Sequence, residues 1–288
     1  MMTAELRELV DVLSLTKTGE GQYRGDVMDP GWGRVYGGLV VGQALSAAGQ
    51  EVPKDRNVHS FHSYFLLPGS IKEPITYDVE VIRDGGSLST RRVKAIQKGR
   101  TIFFMTASFQ AFAEGLDHQA PMPDVKMPDE LLPLEEALAK KIAGNAVKVL
   151  PARMSLRKPF DIRFANDAAL QLGTVREAVN QVWVRANSQL PDDYAIHEFL
   201  LAYVSDMYML MAATFPHGVN HRKPDFQMAS IDHSMWFHRS FRFDEWLLQV
   251  IESPSASGGR GFSLARFYDI EGRLVASAAQ EGVIRPAR

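Results

Sequence analysis

The sequence contains no cysteine among its 288 residues. This absence excludes disulfides, cysteine nucleophiles, thiolate zinc sites and iron–sulfur clusters. Neither sign of charge dominates, because 32 basic residues stand against 34 acidic ones. A domain that binds nucleic acid is typically strongly basic, so we expect no nucleic-acid partner. The length suits one large domain or two of ordinary size.

Targeting signals are also lacking. The N-terminal segment MMTAELRELVDVLSL is acidic and amphipathic, whereas a signal peptide has a basic start and an uninterrupted apolar core. No apolar run reaches the ~18 residues of a membrane span. The C-terminal VIRPAR differs from a peroxisomal Ser-Lys-Leu address. We therefore expect a cytoplasmic protein with no membrane partner.

Familiar catalytic and cofactor motifs are missing as well. GFSLA, starting at Gly261, lacks the last glycine of a nucleophile elbow. HEFLL, starting at His197, lacks the second histidine of a zinc protease. The glycines of SASGGRGF do not form a dinucleotide-binding loop. His59 and His62 are three apart on a predicted strand and should face opposite sides. We expect neither a metal nor a cofactor.

An internal repeat is the clearest positive signal. His62-Ser63 and His233-Ser234 each open a predicted aromatic strand. Gly99-Arg100 corresponds to Gly272-Arg273 at a predicted hairpin, and both halves then reach a glutamine, Gln110 and Gln280, at nearly equal spacing. Such a repeat sets the architecture.

Each half of the repeat combines a helix with antiparallel strands. Residues 4–13 predict an amphipathic helix with Thr3 as its N-cap, and residues 37–52 predict a helix of small residues that could pack closely against a sheet. Alternating strands separated by Asp-Gly-Gly and Lys-Gly turns follow it. The expected fold is α+β, a tandem (double) hotdog: two central helices, each wrapped by an antiparallel sheet, joined edge to edge. Pairing the units in this way covers an exposed sheet edge.

The predicted domain limits follow from composition. Residues 1–114 form the N-terminal hotdog, and residues 160–288 form the C-terminal hotdog that carries the catalytic residues. Between them, residues 115–159 are rich in proline and poor in strand signals, with one helical stretch. We expect this segment to be a linker.

Asp206 stands out in the second half, within HEFLLAYVSDMYMLMAATF. The stretch predicts one continuous apolar helix with Asp206 in its middle, and such a helix is usually buried. A buried carboxylate costs several kcal/mol, roughly, unless it is paired or hydrogen-bonded. Asp206 therefore either has a structural partner or serves chemistry, and the residues alone leave both open.

Two further polar residues lie where apolar ones would pack better, Ser230 and Gln280. Each has a structural alternative: a buried serine usually bonds backbone, and a strand glutamine usually faces solvent. Asp232-His233-Ser234 could likewise be a structural hydrogen-bond cluster. Together, however, a carboxylate, a hydroxyl and an amide can hold and deprotonate one water molecule. No side-chain nucleophile is then needed.

Five stretches resemble the acyl-CoA thioesterase II (TesB-like) family. They are GRVYGGLVVGQALSAAG, VHSFHSYFLLPG, LLAYVSDM, IDHSMWFHR and VASAAQEGV. The resemblance implies a double hotdog that hydrolyses fatty acyl-CoA to free acid and CoA by direct attack of water. It also implies a catalytic Asp, Ser or Thr, and Gln, which fall on Asp206, Ser230 and Gln280, and assembly into a homo-oligomer.

Further expectations follow from that resemblance. Backbone amides at Gly37-Gly38, where the first-half helix opens, could stabilise the oxyanion. Met207, Tyr208 and Met235 could line the acyl slot. Three arginines near predicted hairpins could meet CoA phosphates: Arg91, Arg92 and Arg260.

Two other functions remain open on the sequence. A hotdog hydratase or dehydratase would pair an acid with a histidine, for which His233 and His238 are the candidates. A non-enzymatic acyl-CoA-binding protein could arise from a decayed hotdog. The presence of all three polar residues argues against the second alternative.

Overall fold

The computed structural model of the chain describes residues 2–144, 158–166, 173–220 and 225–287. The first half consists of helices and hairpins close to those predicted. In chain order its elements are α1 (Ala4–Leu13), β1 (Thr16–Gly19), β2 (Gln22–Gly25), α2 (Gly37–Gly49), β3 (Arg56–Phe65), β4 (Ile75–Asp84), β5 (Leu88–Gln97) and β6 (Arg100–Ala111).

The second half repeats this order after a connecting helix. Its elements are α3 (Leu134–Gly144), β7 (Phe160–Phe164), β8 (Val179–Ala186), α4 (Tyr194–Ser205), α5 (Met209–Ala212), β9 (Phe226–Ser230), β10 (Asp232–Phe237), β11 (Leu247–Ser257), β12 (Arg260–Asp269) and β13 (Leu274–Pro286). The repeat is visible here, because Gly99 and Gly272 lie in the turns that precede β6 and β13. β3 starts at Arg56, however, so His62 lies within this strand and does not open it.

The N-terminal helix has the predicted bounds and cap. The Thr3 side chain accepts a hydrogen bond from the Leu6 amide, as an N-cap residue does. One face of α1 is buried and packs into the main core. The apolar period of the sequence therefore identifies this helix correctly.

The strands found in the described residues form one thirteen-stranded antiparallel sheet. Its order is β1-β2-β4-β5-β6-β3-β10-β13-β12-β11-β8-β7, with β9 paired to β13. β3 and β10 join the two halves, with Ser63 opposite His233. At this seam the Ser63 hydroxyl donates to the His233 carbonyl over 2.6 Å. The predicted edge-to-edge double hotdog is confirmed.

The two central helices pack directly on each other. A Cβ on Gly38 would lie 2.1 Å from the Tyr203 carbonyl oxygen, and one on Gly42 would lie 3.1 Å from the Phe199 carbonyl oxygen. The glycines of α2 thus allow close contact with α4. The prediction that the small residues serve packing against the sheet is wrong for these two positions.

The prediction of one continuous helix around Asp206 is also wrong. α4 ends at Ser205, Asp206 is its C-cap, and Tyr208 adopts a left-handed conformation (φ 66°) before α5 begins. A bulky residue with positive φ is uncommon and costs free energy. The hydrophobic pattern of the sequence does not reveal the break, because the residues of α5 are buried as well.

The linker packs against the second hotdog. The Trp183 indole donates to the Lys126 carbonyl over 2.9 Å, and the Tyr268 hydroxyl donates to the Pro121 carbonyl over 3.2 Å. Met122 and Val125 pack against a small core on the outer side of the sheet.

The predicted domain limits stay a prediction. β6 ends at Ala111 and β7 begins at Phe160, near those limits. Residues 145–157 of the predicted linker lie outside the described residues.

Among the described residues, one segment meets the length and hydropathy of a membrane span. It runs from Tyr194 to His217 with a mean hydropathy of 1.3, so the expectation that no run is long enough needs correction. In the fold, 78% of its apolar window is buried inside the protein. That burial is typical of a core helix.

Candidate active site

The structure brings the three predicted polar side chains into one hydrogen-bonded triangle. Ser230 Oγ donates to Asp206 Oδ1 over 3.2 Å, and Gln280 Nε2 lies 3.0 Å from the same oxygen. Gln280 Nε2 also donates to Ser230 Oγ over 2.7 Å. Asp206 therefore has the partners that a half-buried carboxylate in an apolar setting requires.

The three polar side chains of the triangle lie on three different elements. Asp206 lies at the break between α4 and α5, which directs its carboxylate out of the helix end. Ser230 is the last residue of β9 and lies opposite Gly282 of β13. Gln280 is two residues earlier on β13 and is 1% exposed. The short pairing of β9 with β13 thus sets the hydroxyl beside the amide.

The triangle lies in the wall of a cavity of about 680 Å³. Apolar side chains from both halves of the molecule form most of the remaining wall. They include Val35, Val40, Phe65, Leu67, Ile102, Phe103, Met207, Met209, Leu210, Met211 and Met228. A polar cluster in a mostly apolar cavity is the usual form of a small-molecule site.

The start of α2 faces the acid. Gly37 lines the cavity, and a Cβ at this position would lie 2.8 Å from Asp206 Oδ2. The first amides of a helix have no intrahelical partner and carry partial positive charge. The carboxylate of the second half therefore lies beside the positive helix end of the first half.

The predictions for the acyl slot divide in two. Met207 and Tyr208 line the cavity. Met235 is fully buried in the main core and does not line it, so that prediction is wrong. Met235 points inward from β10, where alternation directs every second side chain into the core.

The three arginines proposed for phosphate are engaged in ion pairs. The buried Arg91 binds Asp84 and the Glu51 carbonyl, which is a structural role. Arg92 pairs with Glu80, and Arg260 pairs with Glu281. None of the three lines the cavity. The prediction is wrong for Arg91, whose side chain is 1% exposed.

Sequence reasoning missed the part of the wall that precedes α2. Trp32 and Arg34 line the cavity and are exposed, and Arg34 makes no ion pair within the described ranges. They belong to an irregular segment, where periodicity gives no signal. The only hint is that GRVYGG carries part of the family resemblance.

The candidate histidines of a hydratase do not reach the cavity. His233 is fully buried behind Gln280, and its Nε2 lies 2.7 Å from Ser205 Oγ. Burial lowers the pKa of His233, although Asp206 and Gln280 counteract this effect. His238 is exposed and hydrogen-bonded to Ser277. The acid–histidine pair that a hydratase needs is therefore not assembled in this cavity.

Metal ligation has no support in the described part of the chain. No group of three or more His, Asp or Glu side chains there could hold a metal ion. The prediction that His59 and His62 face opposite sides is nevertheless wrong. A register irregularity between Val58 and Ser60 turns His59 to Ser108 on the outer face, where His62 also lies. A bulge shifts the alternation by one residue.

The fold and the cavity define a double hotdog protein with a carboxylate–hydroxyl–amide site. A family model described as acyl-CoA thioesterase matches residues 155–283, and one described as acyl-CoA thioesterase N-terminal domain matches residues 28–110. Acyl-CoA thioesterase 2 of Haemophilus influenzae is 40% identical over 284 residues, 99% of each chain. The chain therefore belongs to the acyl-CoA thioesterase family.

Two further relatives agree with this assignment. Acyl-coenzyme A thioesterase 8 of Homo sapiens is 40% identical over 281 residues, which cover 95% of this chain and 88% of that protein. The crystal structure of an acyl-CoA thioesterase II from Mycobacterium marinum superposes with a TM-score of 0.79 at 38% identity. That match covers 96% of this chain and 98% of the other.

Proposed function

We propose that the protein hydrolyses fatty acyl-CoA thioesters to free acid and CoA through Asp206, Ser230 and Gln280. The observation that carries this proposal is the hydrogen-bonded triangle in the cavity wall, directly opposite the N-terminus of α2. Thioester hydrolysis as a reaction class follows from membership of the family. The roles of the three residues are our assignment.

The hydrogen bonds give the two carboxylate oxygens of Asp206 different tasks. Oδ1 accepts both hydrogen bonds, from Ser230 and Gln280, and is thereby fixed. Oδ2 points toward Gly37 and the cavity. A water molecule bound to Oδ2 from the cavity side would lie beside the start of α2 and act as the nucleophile.

The reaction follows from this placement. The water oxygen attacks the thioester carbonyl carbon while Asp206 accepts the water proton. Amides at the start of α2 stabilise the oxyanion that forms on the former carbonyl oxygen. The tetrahedral intermediate collapses by breaking the carbon–sulfur bond, and the proton held on Asp206 passes to the departing thiolate. Acid and thiol are released, and the carboxylate is restored.

The cavity also fits the two ends of the substrate. The methionine-rich apolar wall suits an acyl chain, since methionine adapts to irregular apolar surfaces. Arg34 is exposed and carries no ion pair within the described residues, so it is the arginine we assign to a CoA phosphate. Arginine binds phosphate through paired donors.

We also propose that the enzyme acts in the cytoplasm as a homo-oligomer. The first statement rests on the long apolar segment Tyr194–His217, most of which is buried inside the protein. The second rests on the family resemblance and on exposed aromatic side chains along the central strands, Tyr64 and Trp236. Light scattering of the purified protein measures the assembly state.

Release of CoA thiol from a series of acyl-CoAs tests the reaction, with wild type and Asp206→Asn compared side by side. Asparagine keeps the shape but cannot accept the proton, so we expect kcat to fall about 10²–10⁴-fold, the contribution of a general base. Asp192→Asn, which changes an acid with a 95% exposed side chain, is the control.

Two outcomes would overturn the proposal. If wild type releases no thiol at any chain length, the enzyme is not a thioesterase, and hydration of enoyl-CoA with the thioester intact is measured next. If Asp206→Asn turns over as fast as wild type, the carboxylate is structural and the base lies elsewhere.

A further inference from the structure

The Gln280 amide serves the proposed reaction in only one of its two orientations. Its Nε2 must face Asp206 and Ser230, because a carboxylate cannot donate a hydrogen bond to an amide oxygen. A rotation of the amide by 180° would set Oε1 against Asp206 Oδ1 and repel it. A donor to Oε1 on the other side of Gln280 would strengthen this preference for the productive orientation.

The sheet register identifies the neighbours of Gln280 on that side. Ser263 of β12 lies directly opposite Gln280. β10 is the other neighbour of β13, and its register, which pairs Ser234 with Ala279, places His233 opposite Gln280 one step further along. All three side chains point into the core, at 0–1% exposure. Directly opposed residues have Cβ atoms about 5 Å apart.

Each of these three residues has one buried polar atom without a partner in the described structure. They are His233 Nδ1, Ser263 Oγ and Gln280 Oε1. Unpartnered buried polar atoms are rare and costly. Two of the three can donate, and Gln280 Oε1 has two lone pairs to accept. Burial lowers the pKa of His233, and the neighbouring Gln280 side chain counteracts this effect.

The contact with Ser205 on the other side of His233 is compatible with the tautomer that donates from Nδ1. Nε2 lies 2.7 Å from Ser205 Oγ, whose single proton can go to this nitrogen or to the Ala202 carbonyl 2.8 Å away. When the hydroxyl donates to Nε2, the neutral ring carries its proton on Nδ1, on the side of Gln280. Burial favours the neutral ring over the charged one, although Asp206 and Asp232 oppose this.

We infer that His233 and Ser263 are positioning residues that donate from Nδ1–H and Oγ–H to Gln280 Oε1 and so hold Nε2 toward Asp206 and Ser230. The inference rests on the proposed function, since it concerns the same triangle. Neither residue lines the cavity, so both would act through Gln280 without touching substrate.

Two matched variants of His233 separate this role from packing. An asparagine nitrogen occupies roughly the position of Nδ1, whereas a glutamine nitrogen reaches roughly that of Nε2. His233→Asn therefore keeps the donor to Gln280 and loses the contact with Ser205, and His233→Gln does the reverse. Both lose the ring that packs on Phe61, so a purely structural histidine predicts similar losses.

We expect His233→Gln to lower kcat about 10- to 100-fold with KM nearly unchanged, the usual effect of a misplaced group. His233→Asn should stay within about threefold of wild type, because the donor remains. Ser263→Ala also leaves Gln280 Oε1 with one donor, so it should lower kcat by a similar factor with KM nearly unchanged. Melting temperatures identify any variant that fails to fold.

A double-mutant cycle with Gln280→Ala completes the test. If His233 acts through Gln280, His233→Gln has no further effect on kcat in the Gln280→Ala background. Equal losses in His233→Asn and His233→Gln, or additive losses with Gln280→Ala, would overturn the inference. If Gln280→Ala itself is fully active, the proposed triangle fails instead, so the two failures are distinct.

Discussion

At the scale of single residues, two acids of the α4 region differ in their surroundings. Asp206 lies at the helix end with two hydrogen-bond donors on one oxygen. Glu198 lies within the helix, 4% exposed, and burial together with the nearby Asp193 raises its pKa well above the ordinary 4.5. We propose a chemical role for Asp206, whereas the burial of Glu198 costs stability near neutral pH.

This difference predicts a pH-dependent gain from Glu198→Gln. Above pH 4.5 the unfolded chain releases a proton that folded Glu198 retains, so wild-type stability declines as pH rises through that window. The variant lacks this proton, and we expect it to be more stable than wild type near neutral pH. The gain should shrink toward pH 4.5, as measured by urea unfolding at several pH values.

Glu8→Gln on α1, where the side chain is exposed, measures the effect of losing a surface charge. A difference between Glu198→Gln and wild type that stays constant from acid to neutral pH would contradict the account of Glu198.

The sequence predicts the three polar members of the candidate site, because each interrupts an apolar or alternating pattern. It does not predict Trp32 or Arg34, which lie in a segment without periodicity, nor the burial of Glu198. His233 shows why residue type alone is insufficient. Its separation from the cavity depends on the register of β10 against β13, and strand register is a tertiary property.

At the scale of elements, the contact between α2 and α4 depends on Gly38. A Cβ there would lie 2.1 Å from a backbone oxygen of α4, which cannot move without shifting the helix. Overpacking of a core typically costs about 1–3 kcal/mol, and the better helix propensity of alanine offsets only about 0.5–1 kcal/mol of this. We therefore expect Gly38→Ala to lower the free energy of unfolding, measured in urea.

Gly49→Ala is the matched control in the same helix. Its Cβ would meet Phe199 at an ordinary 3.6 Å, so this variant should be neutral or slightly stabilising. If Gly38→Ala were as stable as Gly49→Ala, the helices would not be in the close contact described.

Helix and strand positions are predictable for most elements, because hairpin turns and apolar periods mark them. The break of the second central helix is the exception. No glycine or proline marks the break, which falls at Asp206, Met207 and Tyr208. The apolar pattern continues beyond these residues. Only the tertiary surroundings impose the left-handed turn at Tyr208, and it is this turn that presents the acid to the cavity.

At the scale of the whole molecule, the central seam makes two repeats one cooperative unit. The sheet is continuous across β3 and β10, and side chains of both halves share one main core. We expect a single unfolding transition. Hydrogen exchange in denaturant should show β5 of the first half and β12 of the second losing protection together. Separate midpoints for the two strands would show that the halves unfold independently.

The position of Asp206 beside Gly37 has a consequence for how the enzyme behaves on dilution. The acid comes from one repeat and the helix start that faces it from the other. If the two repeats were separate chains, they would have to associate to form the site, and they would dissociate on dilution. Joining two units in one chain keeps them at an effective concentration on the order of millimolar. Turnover per chain should therefore be constant however dilute the enzyme becomes.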